Sequence, residues 1–287
     1  MKQNRYKTAL VMEGGAMRGL FTCGVIDVLM EEGITFDGAA GISAGAAFGS
    51  NYKSHQNGRV LRYMKRFCND PRFCSIRSLI TTGDLYGAEF CYRTIPYELD
   101  KVDCEAFEKD PMEFYAGAAD VETGECIYHL CKDGREHDMD WIRASASMPL
   151  VSRIVELDGH RLLDGGIVDS IPYRFMKDKE YDRYLVILTQ PADFRKSENK
   201  LLPLMKIVYR KYPRFVEAMR TRHIRYNQQV DEVREDEKKG TTMVICPDES
   251  LNIGKTEKDT AEIDRVYEIG RKLAYRKLDE IKKFLGE

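Results

Sequence analysis

The chain has 287 residues, of which 43% are hydrophobic and 32% charged, and its formal net charge is −2. This composition fits one α/β domain with or without a helical extension, and the near-neutral charge offers no general attraction to nucleic acid. No stretch approaches the ~20 apolar residues that a membrane span needs. The first seven residues do not resemble a signal peptide, and the eight cysteines show no zinc spacing. We therefore expect a cytoplasmic protein with reduced thiols that binds no nucleic acid, metal or cofactor.

The first predicted unit is a buried strand, a glycine turn and a helix. Residues 8–12 are apolar, the GGAMRG turn occupies residues 14–19, and the helical pattern after it ends at Gly33. The turn lacks the Lys and Ser/Thr of a nucleotide P-loop, and Ala16 at the third position argues against a dinucleotide fingerprint. Two interpretations remain: a tight turn without chemistry, or a row of backbone N–H groups that holds an oxyanion.

The second unit ends in Gly41-Ile42-Ser43-Ala44-Gly45, between an apolar segment and a helix-compatible run. This G-x-S-x-G pattern is typical of a nucleophile elbow, a strained strand-to-helix turn that exposes the serine hydroxyl. Gly41 and Gly45 suit places where strand and helix backbones pass too close for a Cβ. A plain tight turn is the alternative. The alternation of strand and helix predicts a mainly parallel sheet, with both glycine turns at its carboxyl edge.

The middle of the chain contains a second candidate catalytic group. A hairpin of residues 153–157 and 161–163 leads into Asp164-Gly165-Gly166, so an aspartate ends a strand before two glycines that allow close backbone approach. A common Asp-Gly turn is the alternative. The other predicted elements are a helix at 58–70, a loop at 75–88, helical pieces at 89–99 and 104–107, a hairpin of 112–119 with 125–130, a helix at 140–145, and a helix and a strand at 172–179 and 184–189.

The composition changes after residue 190. Residues 200–226 are basic and amphipathic, with Glu217 the only acid. Such a segment can lie on an anionic membrane surface, as in a peripheral membrane protein. The alternative is a helical cap whose apolar face packs on the core. With a strand at 241–246 and a charged helix at 260–285, we expect a mostly helical domain at 191–287 after an α/β domain at 7–190.

The motifs at 14–19, 41–45 and 164–166, with 144–149 as supporting context, resemble in order and spacing those of the patatin-like phospholipase family. The resemblance covers about residues 7–190, and residues 191–287 resemble the C-terminal extension of a bacterial subgroup. It implies a three-layer α/β/α patatin-like fold and a lipid or other acyl ester as substrate, cleaved by a Ser–Asp dyad. The residues that it assigns are Ser43 as nucleophile, Asp164 as base, the oxyanion loop with Gly14, Gly15, Ala16 and Arg18, and the supporting glycines Gly41, Gly45, Gly165 and Gly166.

Two residues depart from the family pattern. Glu13 stands where the family has Asp, and Ala16 replaces the middle glycine of a G-x-G-x-x-G loop. Alanine at positive φ would cost on the order of 1 kcal/mol, so the geometry of the oxyanion loop depends on the backbone conformation at Ala16.

Two other functions compete with a dyad hydrolase. One is a His-dependent esterase or thioesterase, for which only His223 has the order Ser–acid–His. The other is a non-catalytic lipid-binding or regulatory protein with the same fold. No histidine is well placed in the sequence, so we expect direct proton transfer from Ser43 to Asp164, with burial making the carboxylate more basic.

Overall fold

The computed structural model describes residues 6–286. Residues 1–5 and 287 lie outside this range, and with them most of the segment that we predict not to be a signal peptide. The strands are β1 (Thr8–Met12), β2 (Gly38–Ile42), β3 (Glu113–Asp120), β4 (Cys126–Cys131), β5 (Val155–Leu157), β6 (His160–Asp164), β7 (Arg183–Ile187) and β8 (Thr242–Ile245).

Helices connect these strands. The α-helices are α1 (Gly19–Glu31), α2 (Ala44–Lys53), α3 (Arg59–Phe67), α4 (Ile76–Thr82), α5 (Cys104–Lys109), α6 (Glu136–Ser145), α7 (Tyr173–Lys177), α8 (Leu202–Val208), α9 (Pro213–Lys238), α10 (Thr260–Arg276) and α11 (Leu278–Leu285). Two 3₁₀ turns span Ala16–Arg18 and Gly165–Ile167, and a π-helix spans Phe90–Leu99.

All eight strands belong to one sheet, in the order β5-β6-β3-β2-β1-β7-β8, with β4 also paired to β3. The five strands from β3 to β8 in this order are parallel, whereas β4, β5 and β6 pair antiparallel. The predicted mainly parallel sheet is therefore confirmed. Its carboxyl edge carries the turns that follow β1 and β2, as expected for sites in such sheets.

Strand β3 pairs with both β2 and β6, and the carboxyl ends of these two strands lie next to each other along β3. Ile42 at the end of β2 pairs with Gly117, and Asp164 at the end of β6 pairs with the next residue, Ala118. Because β4 occupies the other edge of Ala118, β6 lies on the same edge of β3 as β2. The two strands run in opposite directions, so their carboxyl ends meet.

Helices cover both faces of the sheet. On β1, Leu10 and Met12 belong to a core with α1, α2, α10 and α11. The alternate residues Ala9 and Val11 belong to a second core with α7 and α9. The period of two along the strand thus directs side chains into two hydrophobic layers. The predicted three-layer α/β/α fold is confirmed.

The part of the chain after residue 190 completes this same architecture. Strand β8 pairs in parallel with β7, α9 packs on one face of the sheet, and α10 packs against α1 on the other. The predicted boundary at residue 190 therefore falls within one continuous sheet. The change in composition there marks a shift from mostly buried elements to long helices with one solvated face.

One helix was not expected from the sequence. We predict a loop for residues 75–88, but α4 forms there, with the Ser75 hydroxyl capping its start by accepting the Ser78 N–H. Its apolar residues Ile76 and Ile80 are 72% and 78% exposed, so α4 has no buried apolar face. Periodicity, which detects helices by such a face, could not find it.

The basic segment 200–226 forms α8 and the first half of α9. Its inner face packs in a core with Ala119 and Leu163 through Leu202, Met205 and Phe215, which agrees with the helical-cap interpretation. Its outer face still exposes large apolar side chains, namely Leu201, Leu204, Ile207, Val208 and Ile224. Within residues 6–286, no helix has the length and apolar character needed to cross a membrane.

Helices α1 and α10 cross at two glycines. A Cβ on Gly24 would overlap the Tyr267 carbonyl oxygen, and a Cβ on Gly270 would overlap that of Phe21. The Tyr267 hydroxyl also donates to Asp27 on α1, at 2.7 Å. The close approach of the two backbones thus depends on the absence of side chains at this crossing.

We expect Gly24→Ala to lower the free energy of unfolding by about 1–3 kcal/mol or more, since overpacking forces the two helices apart. Thermal melting should shift down by about 2–4 °C for each kcal/mol. The control is Gly254→Ala, because a Cβ there meets only the Glu257 carboxylate at 3.8 Å and φ is not positive. Equal melting of the two variants would contradict the tight crossing.

Candidate active site

Ser43 lies in a strained turn between β2 and α2. Its backbone has φ 54° and ψ −119°, outside the regions that L-residues favour. A Cβ on Gly41 would overlap the Gly45 carbonyl oxygen, and one on Gly45 would overlap that of Met12. This is the geometry expected of a nucleophile elbow, and it accounts for the glycines on both sides of Ser43.

The structure brings Ser43 and Asp164 together. The Ser43 hydroxyl donates to Asp164 Oδ2 at 2.7 Å. The other oxygen, Oδ1, accepts the Gly166 N–H at 2.8 Å, and the Asp164 N–H donates to the Ser147 carbonyl at 2.7 Å. These bonds fix the carboxylate, so one of its oxygens points at the serine.

Burial raises the pKa of Asp164 above its ordinary value, because the charged carboxylate loses its hydration. The Ser43 hydrogen bond and the positive charge of Arg222 oppose this shift. A carboxylate with a raised pKa accepts a proton more readily. Asp164 is therefore suited to take the proton from the hydroxyl that it already contacts.

Ser145, at the end of α6, supports the elbow. Its hydroxyl accepts the Ser43 N–H at 2.9 Å and donates to the Gly117 carbonyl at 2.6 Å. It thereby ties the strained turn to β3. The sequence offered only the motif context of residues 144–149 as a signal, and no individual role for Ser145 could be read from it.

The GGAMRG turn packs directly against Ser43. A Cβ on Gly14 would lie 3.2 Å from that of Ser43, so the two glycine turns are neighbours. The Gly14 N–H donates to the Ser170 carbonyl at 3.1 Å. Within residues 6–286, no hydrogen-bond acceptor is found for the N–H groups of Gly15 and Ala16. These two donors, rather than that of Gly14, are free to meet a substrate oxygen.

Ala16 adopts φ 48°. Glycine adopts this left-handed conformation without strain, whereas for alanine it costs on the order of 1 kcal/mol. The loop nevertheless keeps this backbone conformation. The predicted cost at Ala16 is therefore strain that the surrounding packing must hold in place.

Glu13 holds the start of this turn. Its Oε2 accepts the Thr189 N–H at 2.6 Å, and its Oε1 accepts the Tyr226 hydroxyl at 2.9 Å. The bonds join the turn to the end of β7 and to α9. Thus the glutamate that replaces the family aspartate is buried, and both of its carboxylate oxygens accept hydrogen bonds. One of the two donors, Tyr226, lies in the C-terminal part of the chain.

All five histidines are among the described residues, and none hydrogen-bonds to Ser43 or Asp164. His223 has a buried Nδ1 without a hydrogen-bond partner. The other four pair with carboxylates: His55 with Asp110, His129 with Asp138, His137 with Asp158 and His160 with Asp120.

Two overlapping groups of described side chains have the spacing of metal ligands: His129, His137 and Asp158, and His129, Cys131 and Asp138. The candidate ligand atoms of His129, His137 and Asp158 lie within 4.8 Å of one another. His129 and His137 are already engaged by Asp138 and Asp158, and these side chains make no hydrogen bond to Ser43. The chemistry available at Ser43 therefore involves no residue of either group.

An apolar pocket opens beside Ser43. It has ≈ 890 Å³ of empty space, part of it open to solvent, between α2, α3, the π-helix and α6. Its wall includes Phe48, Tyr63, Met64, Tyr92, Ile142 and Met148. Apolar walls with a few polar groups at one end are typical of sites for small apolar ligands. The pocket suits a hydrocarbon chain whose polar end lies at Ser43.

Comparison with known proteins gives two family matches. Residues 10–176 match the model of the patatin-like phospholipase family, and residues 212–286 match a domain of unknown function. The first match covers more than half of the chain and includes Ser43 and Asp164.

The chain also resembles individual proteins. An uncharacterized protein of Escherichia coli, YjjU, is 29% identical over 235 residues, which are 74% of this chain and 65% of that protein. An uncharacterized NTE family protein of Mycobacterium tuberculosis is 29% identical over 58% of this chain and 44% of its own length. A lysophospholipase of Aspergillus niger is 30% identical over 58% of this chain and 11% of its own length.

The chain thus spans less than two thirds of the length of these relatives. Among solved structures, VipD from Legionella pneumophila aligns with 96% of this chain and 67% of its own, at 12% identity and a TM-score of 0.46. The family match covers the elbow, the strand end that carries Asp164 and the glycine turn. The chain belongs to the patatin-like phospholipase family.

Proposed function

We propose that this protein is a serine hydrolase of the phospholipase A or lysophospholipase type, which cleaves lipid acyl esters through a dyad of Ser43 and Asp164. The observation that carries the proposal is the 2.7 Å hydrogen bond from the Ser43 hydroxyl to Asp164 at the nucleophile elbow. Membership of the family and the lysophospholipase relatives support a lipid hydrolase.

In the acylation step, the Ser43 hydroxyl transfers its proton to Asp164 as its oxygen attacks the acyl carbon. The carbonyl oxygen becomes an oxyanion, which the N–H groups of Gly15 and Ala16 stabilise. When the intermediate collapses, the carbon–oxygen bond to the alcohol breaks and Asp164 returns the proton to that leaving group. The products of this step are the free alcohol and an acyl ester on Ser43.

In the deacylation step, Asp164 takes a proton from water, and the resulting hydroxide attacks the acyl carbon of the Ser43 ester. The same oxyanion site stabilises the second intermediate. The proton then passes from Asp164 to Ser43, which leaves as a hydroxyl. The fatty acid is released and both residues are restored.

The apolar pocket supports an acyl chain of a lipid as the bound group. Burying a methylene in it contributes about 0.8 kcal/mol, so a long chain binds more tightly than a short one. The absence of any histidine bonded to Ser43 or Asp164 among the described residues favours the dyad over a His-dependent esterase. The fixed carboxylate and the free donors of the glycine turn favour catalysis over lipid binding alone.

We also propose that α8 meets the lipid surface from which substrate is drawn. Leu204 and Ile207 are 47% and 64% exposed on its outer face, beside Lys206 and close in sequence to Arg210 and Lys211. Exposed apolar side chains among basic residues are typical of helices that lie on anionic membranes.

Asp164→Asn should reduce ester hydrolysis by on the order of 10³-fold, because the amide oxygen can still accept the Gly166 N–H but the side chain cannot accept the serine proton. Steady-state hydrolysis of a lysophospholipid measures this. The matched control is Asp27→Asn, a buried carboxylate on α1 whose Oδ2 accepts from Tyr267 and Gly58. Asparagine can keep both bonds there, so the rate should hold.

Full activity of Asp164→Asn would contradict the dyad. His223→Ala separates the enzymatic alternative, since a His-dependent mechanism predicts loss of activity in that variant whereas the dyad predicts an unchanged rate. Circular dichroism of each variant shows whether the fold is retained.

We expect wild-type protein to float with vesicles that contain anionic lipid, and the double variant Leu204→Ser/Ile207→Ser to remain in the soluble fraction, because the exposed apolar area of α8 is lost. The control is Tyr275→Ser, which removes a side chain that is 46% exposed on α10. Equal flotation of the double variant and the control would contradict contact through α8.

A further inference from the structure

Three cationic side chains lie around the dyad without an acidic partner. Arg18 belongs to the predicted oxyanion loop, Lys196 to the segment after β7, and Arg222 to α9. None of them forms an ion pair with any residue from 6 to 286, although most other arginines on the protein do. All three are half-buried, so each gives up part of its hydration.

Arg222 lies beside the catalytic carboxylate. Its Nε donates to the Gly166 carbonyl. A Cβ built on Gly166 would lie 3.5 Å from Arg222 Nη2 and 3.0 Å from Asp164 Oδ1. The guanidinium therefore approaches Asp164 from the Gly166 side, with no acceptor for its two terminal nitrogens among the described residues.

Lys196 is held in position from α9. Its backbone N–H donates to Asn227 Oδ1 at 2.9 Å, and its carbonyl accepts from Asn227 Nδ2 at 3.1 Å. The ammonium group lies over the Tyr226 ring, 4.1 Å from its centroid. Tyr226 in turn donates to Glu13 at the start of the oxyanion loop. This chain of contacts places the Lys196 charge close to that loop.

Arg18 completes the group from within the GGAMRG turn. Its backbone N–H donates to the Gly15 carbonyl at 3.1 Å, and its side-chain Nε is buried without a hydrogen-bond partner. A buried donor that lacks a partner is rare in proteins and calls for a ligand or a solvent molecule.

The charges in this region are unbalanced. Burial and then the positive charge of Arg222 lower the pKa of Lys196 to about 7, and Arg18 adds to that repulsion. The nearby carboxylates, Glu13 and Asp164, oppose it, but both oxygens of each already accept hydrogen bonds. An added anion would relieve the repulsion and gain from all three cations.

We infer that Arg18, Lys196 and Arg222 form a binding site for the phosphate group of an anionic acyl-ester substrate, next to the ester that Ser43 attacks. This inference rests on the proposed function and specifies its substrate class. None of the wall residues of the apolar pocket is Lys196 or Arg222. The acyl chain and the phosphate therefore occupy separate places around Ser43, as the two ends of a phospholipid or lysophospholipid require.

Phosphate suits this arrangement because it offers several charged oxygens. A guanidinium can bind two of them in parallel, and a lysine adds a point charge to a third. A neutral acylglycerol has no group that uses the three cations, and it leaves them desolvated without compensation. The site thus favours phosphate-bearing esters over neutral esters that carry the same acyl chain.

The test compares kcat/KM for a lysophospholipid and for a monoacylglycerol with the same acyl chain. In Lys196→Gln and in Arg222→Gln, we expect the ratio of the two constants to fall at least about tenfold, because each variant removes a charged hydrogen bond to the phosphate. The matched control is Arg220→Gln on the same helix, an exposed arginine paired with Glu217, which should keep the wild-type ratio. An unchanged ratio, with both rates reduced equally, would overturn the inference.

A binding measurement separates this inference from the proposed function. Calorimetric titration of Ser43→Ala protein with glycerol 3-phosphate, inorganic phosphate and glycerol requires no catalysis. We expect binding of both phosphates, lost in Ser43→Ala/Lys196→Gln, and none of glycerol. Tighter binding of glycerol 3-phosphate than of inorganic phosphate identifies a lipid head group as the ligand, whereas the reverse order identifies free phosphate. Absence of binding to either would overturn the phosphate site even if the enzyme hydrolyses esters.

Discussion

The meeting of β2 and β6 on one edge of β3 determines the geometry of the candidate active site. Ile42 and Asp164 pair with the consecutive residues Gly117 and Ala118, so the sheet itself sets the distance between the serine turn and the carboxylate. A residue from a loop would depend on that loop for its position. Here Ser43 directly follows β2 and Asp164 is the last residue of β6, and these positions on a buried sheet restrict the motion of both side chains.

The proposed dyad of Ser43 and Asp164 depends on hydrogen bonds from distant parts of the chain. Ser145 ties the strained backbone of Ser43 to the Gly117 carbonyl. On the other side, Glu13 connects the oxyanion loop to Tyr226 of α9. Strain at Ser43 and at Ala16 is thus balanced by hydrogen bonds and packing elsewhere. Helix α9, in the C-terminal part of the chain, also carries Arg222. The positive charge of Arg222 lowers the pKa of Asp164 and so partly offsets the effect of burial.

The sequence allowed the local parts of this arrangement to be predicted, because each has a short-range cause. Gly41 and Gly45 mark a turn where a Cβ cannot fit, and Asp164 ends a strand before two glycines. The alternation of strands and helices predicts a mainly parallel sheet, which the structure has. It does not predict that β8, in the expected extension, belongs to that sheet. Pairing of β8 with β7 joins Tyr184 to Thr242, 58 positions along the chain, and no local pattern encodes it.

The residues that the sequence did not reveal act through such long-range contacts. In the sequence, Arg222 is one of many basic residues of segment 200–226 and Lys196 lies in no predicted motif; only the fold brings them close to Asp164. Ser145 reads as one of several small residues before Pro149. Helix α4 was missed for a different reason, since its apolar residues face outward. Among the motif residues, Gly14 differs from expectation in one respect, because its N–H is already bonded to Ser170.

The central claim is that Ser43 is a nucleophile activated by Asp164. Incubation with a fluorophosphonate, followed by intact-mass and peptide mass spectrometry, tests it most directly, because the reagent needs an activated serine and no particular lipid. The account predicts one adduct per chain on Ser43, absent in Ser43→Ala and strongly slowed in Asp164→Asn. An unlabelled wild-type protein, or labelling at the same rate in Asp164→Asn, would contradict it.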